Sequence, residues 1–201
     1  MDAQNTAPGG QKNQLAGEYQ LRGVMEMGSG FELSPDFSFQ FYFSYGALDR
    51  SAEGTWTVKD NNIIFNSRVK HDKDFALLSS KKTADDSIII KIIEPNAFFL
   101  SHVYCMLSSG EQKFEAMSNN QGEIWLPKKE VNSLSLAFEF SPERRSVFTV
   151  SDLSHNYFEF RFEPWVLDVV FNEFSLEIDG KGLKGKHPLL TGPLYNYVKT
   201  R

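Results

Sequence analysis

The chain has 201 residues, a single cysteine, 18 phenylalanines and a formal net charge of −5. That length accommodates one large β-domain or two of about 100 residues, the lone Cys105 excludes an intrachain disulfide, and scattered basic residues on an acidic chain argue against nucleic acid as a partner. No stretch reaches the roughly 18 apolar residues of a membrane-crossing helix, so no transmembrane segment is expected.

Residues 1–14 are polar and lack both the basic start and the apolar stretch of a signal peptide. They read as a disordered leader; the alternative is a signal peptide removed upstream of Met1. From Gly17 the chain reads as a tight meander, with strands expected over 18–26, 30–34, 37–45, 53–58 and 62–67. The breaks between them carry Gly, Pro, Asp and Asn, which supply turn geometry. Residues 37–45 place Phe37, Phe39, Phe41, Phe43 and Tyr45 at two-residue spacing, the mark of a strand with one aromatic face. A Lys-, Asp- and Ser-rich stretch over 68–86 holds one weak strand at 75–79, and a domain boundary is expected near 80–86.

The Ile-rich run 87–94, stopped by Pro95, is short and β-branched and suggests a strand covered on both faces. Further strands are expected over 102–108, 112–118, 123–126, 132–140, 146–151 and 156–163, then 168–178, a Gly-rich hairpin 179–186, and 194–199. No segment of ten or more residues has helical period. The fold class expected is therefore all-β, without substantial helix.

Two resemblances rest on specific residues. Gly17-Glu18-Tyr19, then Phe31-Glu32-Leu33 with Asp36 and Phe39, then Gly54-Thr55-Trp56 and Ile63-Ile64-Phe65 resemble the opening meander of lipocalin-like proteins of the bacterial envelope, which begin with Gly-x-aromatic and later repeat Gly-x-Trp. Residues 87–140, with the turn Asn119-Asn120-Gln121-Gly122 feeding Glu123-Ile124-Trp125-Leu126-Pro127, resemble the prealbumin-like sandwich of carboxypeptidase regulatory-like domains. The resemblances imply a lipocalin-like meander or small barrel over 15–83, completed by 167–201, and an Ig/prealbumin-like β-sandwich over 84–166. Both families are mainly noncatalytic and usually exported. The implied location is periplasmic or secreted, with a cytoplasmic one left open by the absent signal peptide.

Chemistry-bearing motifs are weak. Gly180-Lys181-Gly182-Leu183-Lys184-Gly185-Lys186 approaches a phosphate-binding loop, but His187 stands where Ser or Thr is needed, and Pro188 blocks the helix whose amides would face the phosphates. A solvated hairpin is expected instead. The histidines His71, His102, His155 and His187 form no metal-type pair, and the odd spacing of His102 and Cys105 sends them to opposite strand faces. His71 with Asp72 and Asp74 is the nearest approach to a metal loop. Cys105, between Tyr104 and Met106, reads as a core thiol. A carboxylate pair could be drawn from Glu26, Asp36, Asp49 and Glu53, but no spacing supports it. No catalytic residue, metal ligand or cofactor is assigned.

The most distinctive loop is Ser44–Arg50, where Tyr45, Asp49 and Arg50 stand at the sheet rim; with Trp56 they are the candidate ligand- or partner-binding residues. The competing account is a plain hairpin turn in which Asp49 bonds backbone amides. Glu143-Arg144-Arg145 reads as a solubilising hairpin tip. The aromatic stripe could line a cavity or fill it, and five rings on one strand favour filling. The expected function is a noncatalytic binding or interaction module of the cell envelope with an unknown protein or glycan partner. A carrier of a small apolar ligand is the first alternative. A hydrolase or lyase assembled from loops is the second.

Overall fold

The structure, a computed structural model, describes residues 14–201, so the leader expected over 1–14 falls, but for Gln14, outside the described residues. The strands are β1 (Gly17–Arg22), β2 (Met27–Leu33), β3 (Ser38–Tyr45), β4 (Leu48–Lys59) and β5 (Asn62–Ser67), followed by β6 (Phe75–Lys81), β7 (Ser87–Ile93) and β8 (Val103–Ser109). Then come β9 (Gln112–Met117), β10 (Glu123–Pro127), β11 (Ser133–Phe138), β12 (Ser146–Thr149) and β13 (Tyr157–Phe162). The chain ends in β14 (Phe174–Asp179), β15 (Gly182–Gly185) and β16 (Tyr195–Lys199). A turn of 3-10 helix covers Phe99–Ser101. The protein is all-β.

Two compact units account for these strands. Residues up to Lys70 join Asp168–Arg201 in one, and His71–Leu167 form the other. The first is a closed eight-stranded barrel in the order β1-β16-β15-β14-β5-β4-β3-β2. Its interior is ring upon ring: Tyr19, Phe31, Phe39, Phe41, Trp56, Phe65, Phe171 and Tyr197 are each at most 2% exposed. Phe31 alone has six aromatic neighbours, including Phe41 at 4.9 Å and Phe65 at 4.6 Å between centroids. Such rings fill an eight-stranded barrel with side chains.

Of the five aromatics on 37–45, Phe39, Phe41 and Phe43 point inward. Phe37 precedes β3 with a positive φ of 68° and packs edge-on against Trp56, while Tyr45 at the other end is half exposed. The two-residue period holds only where the strand is paired along its length; a tight turn takes over at Phe37, whose amide bonds the Ser34 carbonyl. Gly54 shows why β4 carries a glycine: a Cβ there would overlap the Asn66 carbonyl of β5 and meet the Phe39 ring.

The second unit has two four-stranded sheets, β10-β7-β13-β6 and β12-β11-β8-β9, which share one core. Ile88, Ile90 and Ile92 of the first sheet meet Val103, Cys105, Leu107, Leu134 and Leu136 of the second. The Ile-rich strand is central, between β10 and β13, but only one face is fully covered: Ile93 is 44% exposed and Lys91 reaches out to Glu123. The unit begins at His71 and not near residue 83, because Phe75–Lys81 pairs with Tyr157–Phe162 and Phe75 sits in the sandwich core.

The junction of this unit is tied by a buried ion pair. Arg144 Nε donates to Asp74 Oδ2 at 2.9 Å, and its Nη2 donates to the Trp165 and Val166 carbonyls at 3.0 and 2.8 Å. Ser141 Oγ donates to the Val166 carbonyl, and Trp165 Nε1 donates to the Lys73 carbonyl while its ring stacks on His71 at 3.8 Å. The first and last residues of the unit are thus held to the 141–146 hairpin. Arg144 is no solubilising tip: its side chain is 14% exposed and that of Asp74 3%.

Candidate functional site

The residues singled out in the Ser44–Arg50 loop do not converge. Tyr45 and Asp49 are exposed at the β3–β4 hairpin, where Tyr45 pairs with Leu48 and Ser44 with Asp49. Arg50 is 4% exposed and its Nη2 donates to the Asp168 carbonyl at 3.1 Å, so it braces the barrel. Trp56 is fully buried, with Nε1 donating to the Ser34 carbonyl at 3.1 Å. A ligand contact at Arg50 or Trp56 gives way to a packing role, since strand alternation turns both side chains inward from β4. His71, Asp72 and Asp74 do not form a metal loop either: His71 stacks on Trp165 and Asp74 bonds Arg144. Among the described residues no group of His, Cys, Asp and Glu has metal-holding geometry, and no helix is long and apolar enough to cross a membrane.

Strand register builds a different surface, on the outer wall of β1–β4. Antiparallel pairing aligns Glu18, Glu32, Gln40 and Glu53 in one cross-strand row and Gln20, Gly30, Tyr42 and Ser51 in the next. With strands about 4.8 Å apart, four of them make a platform roughly 15 Å wide. Apart from Gly30, these rows line a half-open groove of about 470 Å³ together with Asp168, which bridges to Ser51.

Tyr42 is its aromatic element, and β2 makes room for it. A Cβ on Gly30 would come within 2.9 Å of the Tyr42 ring, and one on Gly28 within 3.8 Å. The ring therefore rests over a strand stripped of side chains and stays 46% exposed. Covering an otherwise bare glycine is itself a way to stabilise a sheet. At the ends of the acidic row Glu18 faces Arg201 and Glu53 faces Arg68, each at 3.7 Å and well exposed. Such rim pairs contribute little to stability. The middle of the platform is left to two amides, a hydroxyl, the Glu32 carboxylate and the ring.

A second polar group lies inside the barrel. His187 is 4% exposed and accepts at Nδ1 from the amides of Leu189 (3.0 Å) and Leu190 (3.1 Å). Since those amides can only donate, Nε2 carries the ring proton and donates to Ser29 Oγ at 3.1 Å; Ser29 in turn donates to the Tyr42 carbonyl at 3.0 Å. Burial holds the imidazole down to about 4. Tyr197 is buried beside them, and burial pushes its phenol well above the usual range against a smaller opposing effect of the Ser29 hydroxyl. Cys105, in the sandwich core, is pushed up to about 12 by burial, as an inert packing thiol should be.

Neither the groove nor His187 was visible as a site in the sequence. The groove depends on which residues lie opposite one another across four strands, and His187 stood just past the stretch 179–186 read as a solvated hairpin. A signal for the groove did exist in the alternation Gly28-Ser29-Gly30 against Tyr42-Phe43-Ser44, where Gly30 lies opposite Tyr42 and Gly28 opposite Ser44. No family model matches this chain, and no curated protein or solved structure matches it either.

Proposed function

We propose that this protein is a noncatalytic glycan-binding module of the bacterial cell envelope, periplasmic or secreted, in which a lipocalin-like barrel carries an inserted prealbumin-like sandwich. The reading is carried by the outer-wall groove: an exposed Tyr42 ring seated on glycines, with Gln20, Gln40, Ser51 and Glu32 around it. Sugar rings present C–H faces to aromatic rings and rows of hydroxyls to their flanks, and amides and carboxylates offer paired donors and acceptors for those hydroxyls. Arg201 and Arg68 face the outer carboxylates, which favours a neutral polyol over a cation in the middle of the platform.

The carrier reading has less to support it. It requires an empty volume on the barrel axis, where Phe31, Phe41, Phe65 and Phe171 are packed ring against ring at 4.6–6.1 Å between centroids. The test is a panel of soluble neutral and acidic oligosaccharides followed by NMR and calorimetry. Binding should perturb the amides of Gln20, Gln40 and Tyr42, and Tyr42→Ala should weaken it by up to about tenfold, the cost of losing a ring contact of about 0.5–1.5 kcal/mol. A panel that leaves those amides unmoved overturns the reading.

A further inference from the structure

His187 follows Lys186 at the start of the connection between β15 and β16, and its ring is bonded both to that connection and to β2. Leu189, Leu190 and Tyr195 pack against the barrel core, and the amides of Leu189 and Leu190 both end on His187 Nδ1. On the other side, Nε2–H is anchored to Ser29 of β2. The ring is thus a peg, joining the connection to the barrel wall through both nitrogens.

We propose that the His187–Tyr195 connection is an acid-released strap, closed over the barrel mouth while His187 is neutral and opened when the ring takes a second proton. The reason is geometric. The only site left for that proton is Nδ1, whose lone pair is shared by two backbone N–H donors. A proton there turns the acceptor into a third donor pointing at the other two, so both bonds holding the strap are lost at once. Among the described residues no counter-charge is bonded to or stacked on the ring to hold an imidazolium in place. From β3 the ring meets Phe41 and Phe43, from β16 Tyr195 and Tyr197, and from β2 Ser29. The charged groups nearest in register and sequence are cations, Arg50 of β4 opposite Phe43 and Lys186 beside His187. Among the described residues, none of the ring's hydrogen-bond or aromatic partners is a carboxylate. Relief comes from moving His187 into water, which carries Leu189 and Leu190 with it and uncovers Tyr195 and Tyr197.

The sign follows from the two states. In the closed strap the imidazole sits at about 4, and in the open one near the ordinary 6.5, so the open state binds more protons in between. Opening is unaffected well above pH 6.5, grows about tenfold per unit below it, and levels off below pH 4. Hydrogen exchange on the full-length protein at pH 7.5 and 4.5, corrected for intrinsic exchange rates, reads this directly. Protection of the Leu189 and Leu190 amides should fall roughly 70-fold, while barrel amides such as Phe41 and Phe65, which exchange only on unfolding, stay better protected than the strap at both pH values. His187→Asn places a carboxamide oxygen that can still accept from the two amides but does not titrate, and should abolish the pH dependence. Should that variant not fold, the ¹⁵N shifts of His187 in the wild-type protein supply the second measurement, with a bare Nδ1 expected at pH 7.5. Protection that is independent of pH, strap amides as well protected as those of the barrel at both pH values, or an imidazole that titrates near 6.5 with the strap still closed, each overturns the proposal.

Discussion

The barrel and the sandwich solve the same problem, burying one face of every strand, with different means. The barrel uses rings and closes on itself, so it has no edge strand; it needs β1 from the start of the chain and β14–β16 from its end to do so. The sandwich uses mostly Ile, Leu and Val between two open sheets, keeps four edge strands, and draws all of them from the continuous segment His71–Leu167. Their buried polar groups differ in the same sense. The sandwich closes its ends with an ion pair, Arg144 and Asp74, whereas in the barrel the buried Arg50 donates to a backbone carbonyl and His187 bonds backbone amides and a hydroxyl. A segment closed on itself is a unit of folding; a barrel closed by two segments far apart in the chain needs both of them to close.

Truncation tests that contrast most harshly. Removing 168–201 takes three of eight barrel strands and leaves unpaired edges beside an aromatic interior, so the remaining chain should aggregate. The isolated segment 71–167 should instead stay soluble and unfold in one cooperative transition, checked by denaturant titration. If the truncated chain keeps a folded barrel, the contrast fails. Within the sandwich, Arg144→Ala leaves Asp74 buried without its guanidinium and should cost about 3–5 kcal/mol in an urea titration of 71–167. Replacing Arg144 and Asp74 together with apolar residues should recover much of that loss, because the cost lies in the stranded charge.

Gly54→Ala is the corresponding lesion in the barrel. The clash is with the backbone carbonyl of Asn66 and not with a flexible side chain, so β4 and β5 must part, at a cost of about 3 kcal/mol. The barrel's midpoint should drop and the sandwich's should not. The acid limb of stability divides in the same manner. A buried imidazole near 4 against 6.5 unfolded lowers barrel stability by up to about 3 kcal/mol as pH falls from 6.5 to 4. It contributes no pH dependence above that window. Smallest of all should be the response of Cys105, a thiol with no exposed surface: its native labelling rate reports opening of the sandwich alone and should be unchanged by Gly54→Ala.

Much of the architecture was legible because strand period is a local property. Phe39, Phe41 and Phe43 alternate with Gln40 and Tyr42, and that alone assigns them to an inner and an outer face. What was read wrongly failed for a nonlocal reason. Glu143-Arg144-Arg145 has the composition of an exposed turn, yet Arg144 turns back because Asp74, seventy residues earlier, lies beneath it. The same holds for Phe75–Lys81, whose polar flanks resemble a linker until Tyr157–Phe162 pairs with it. Arg50 and Trp56 were taken from a loop and a motif, and the parity of β4 buried them both.

By itself the amino-acid sequence determined that this chain is all-β, that its rings form a core, and that Cys105 packs without chemistry, since each follows from spacing and side-chain character within one strand. Only the tertiary structure decided how the strands are shared between barrel and sandwich, which polar side chains align into the groove over Tyr42, and that His187 bridges Ser29 to Leu189 and Leu190. Those facts depend on register and on contacts between segments far apart in the chain. A change of one residue in pairing reverses every face, and no local pattern records which partner a strand will meet.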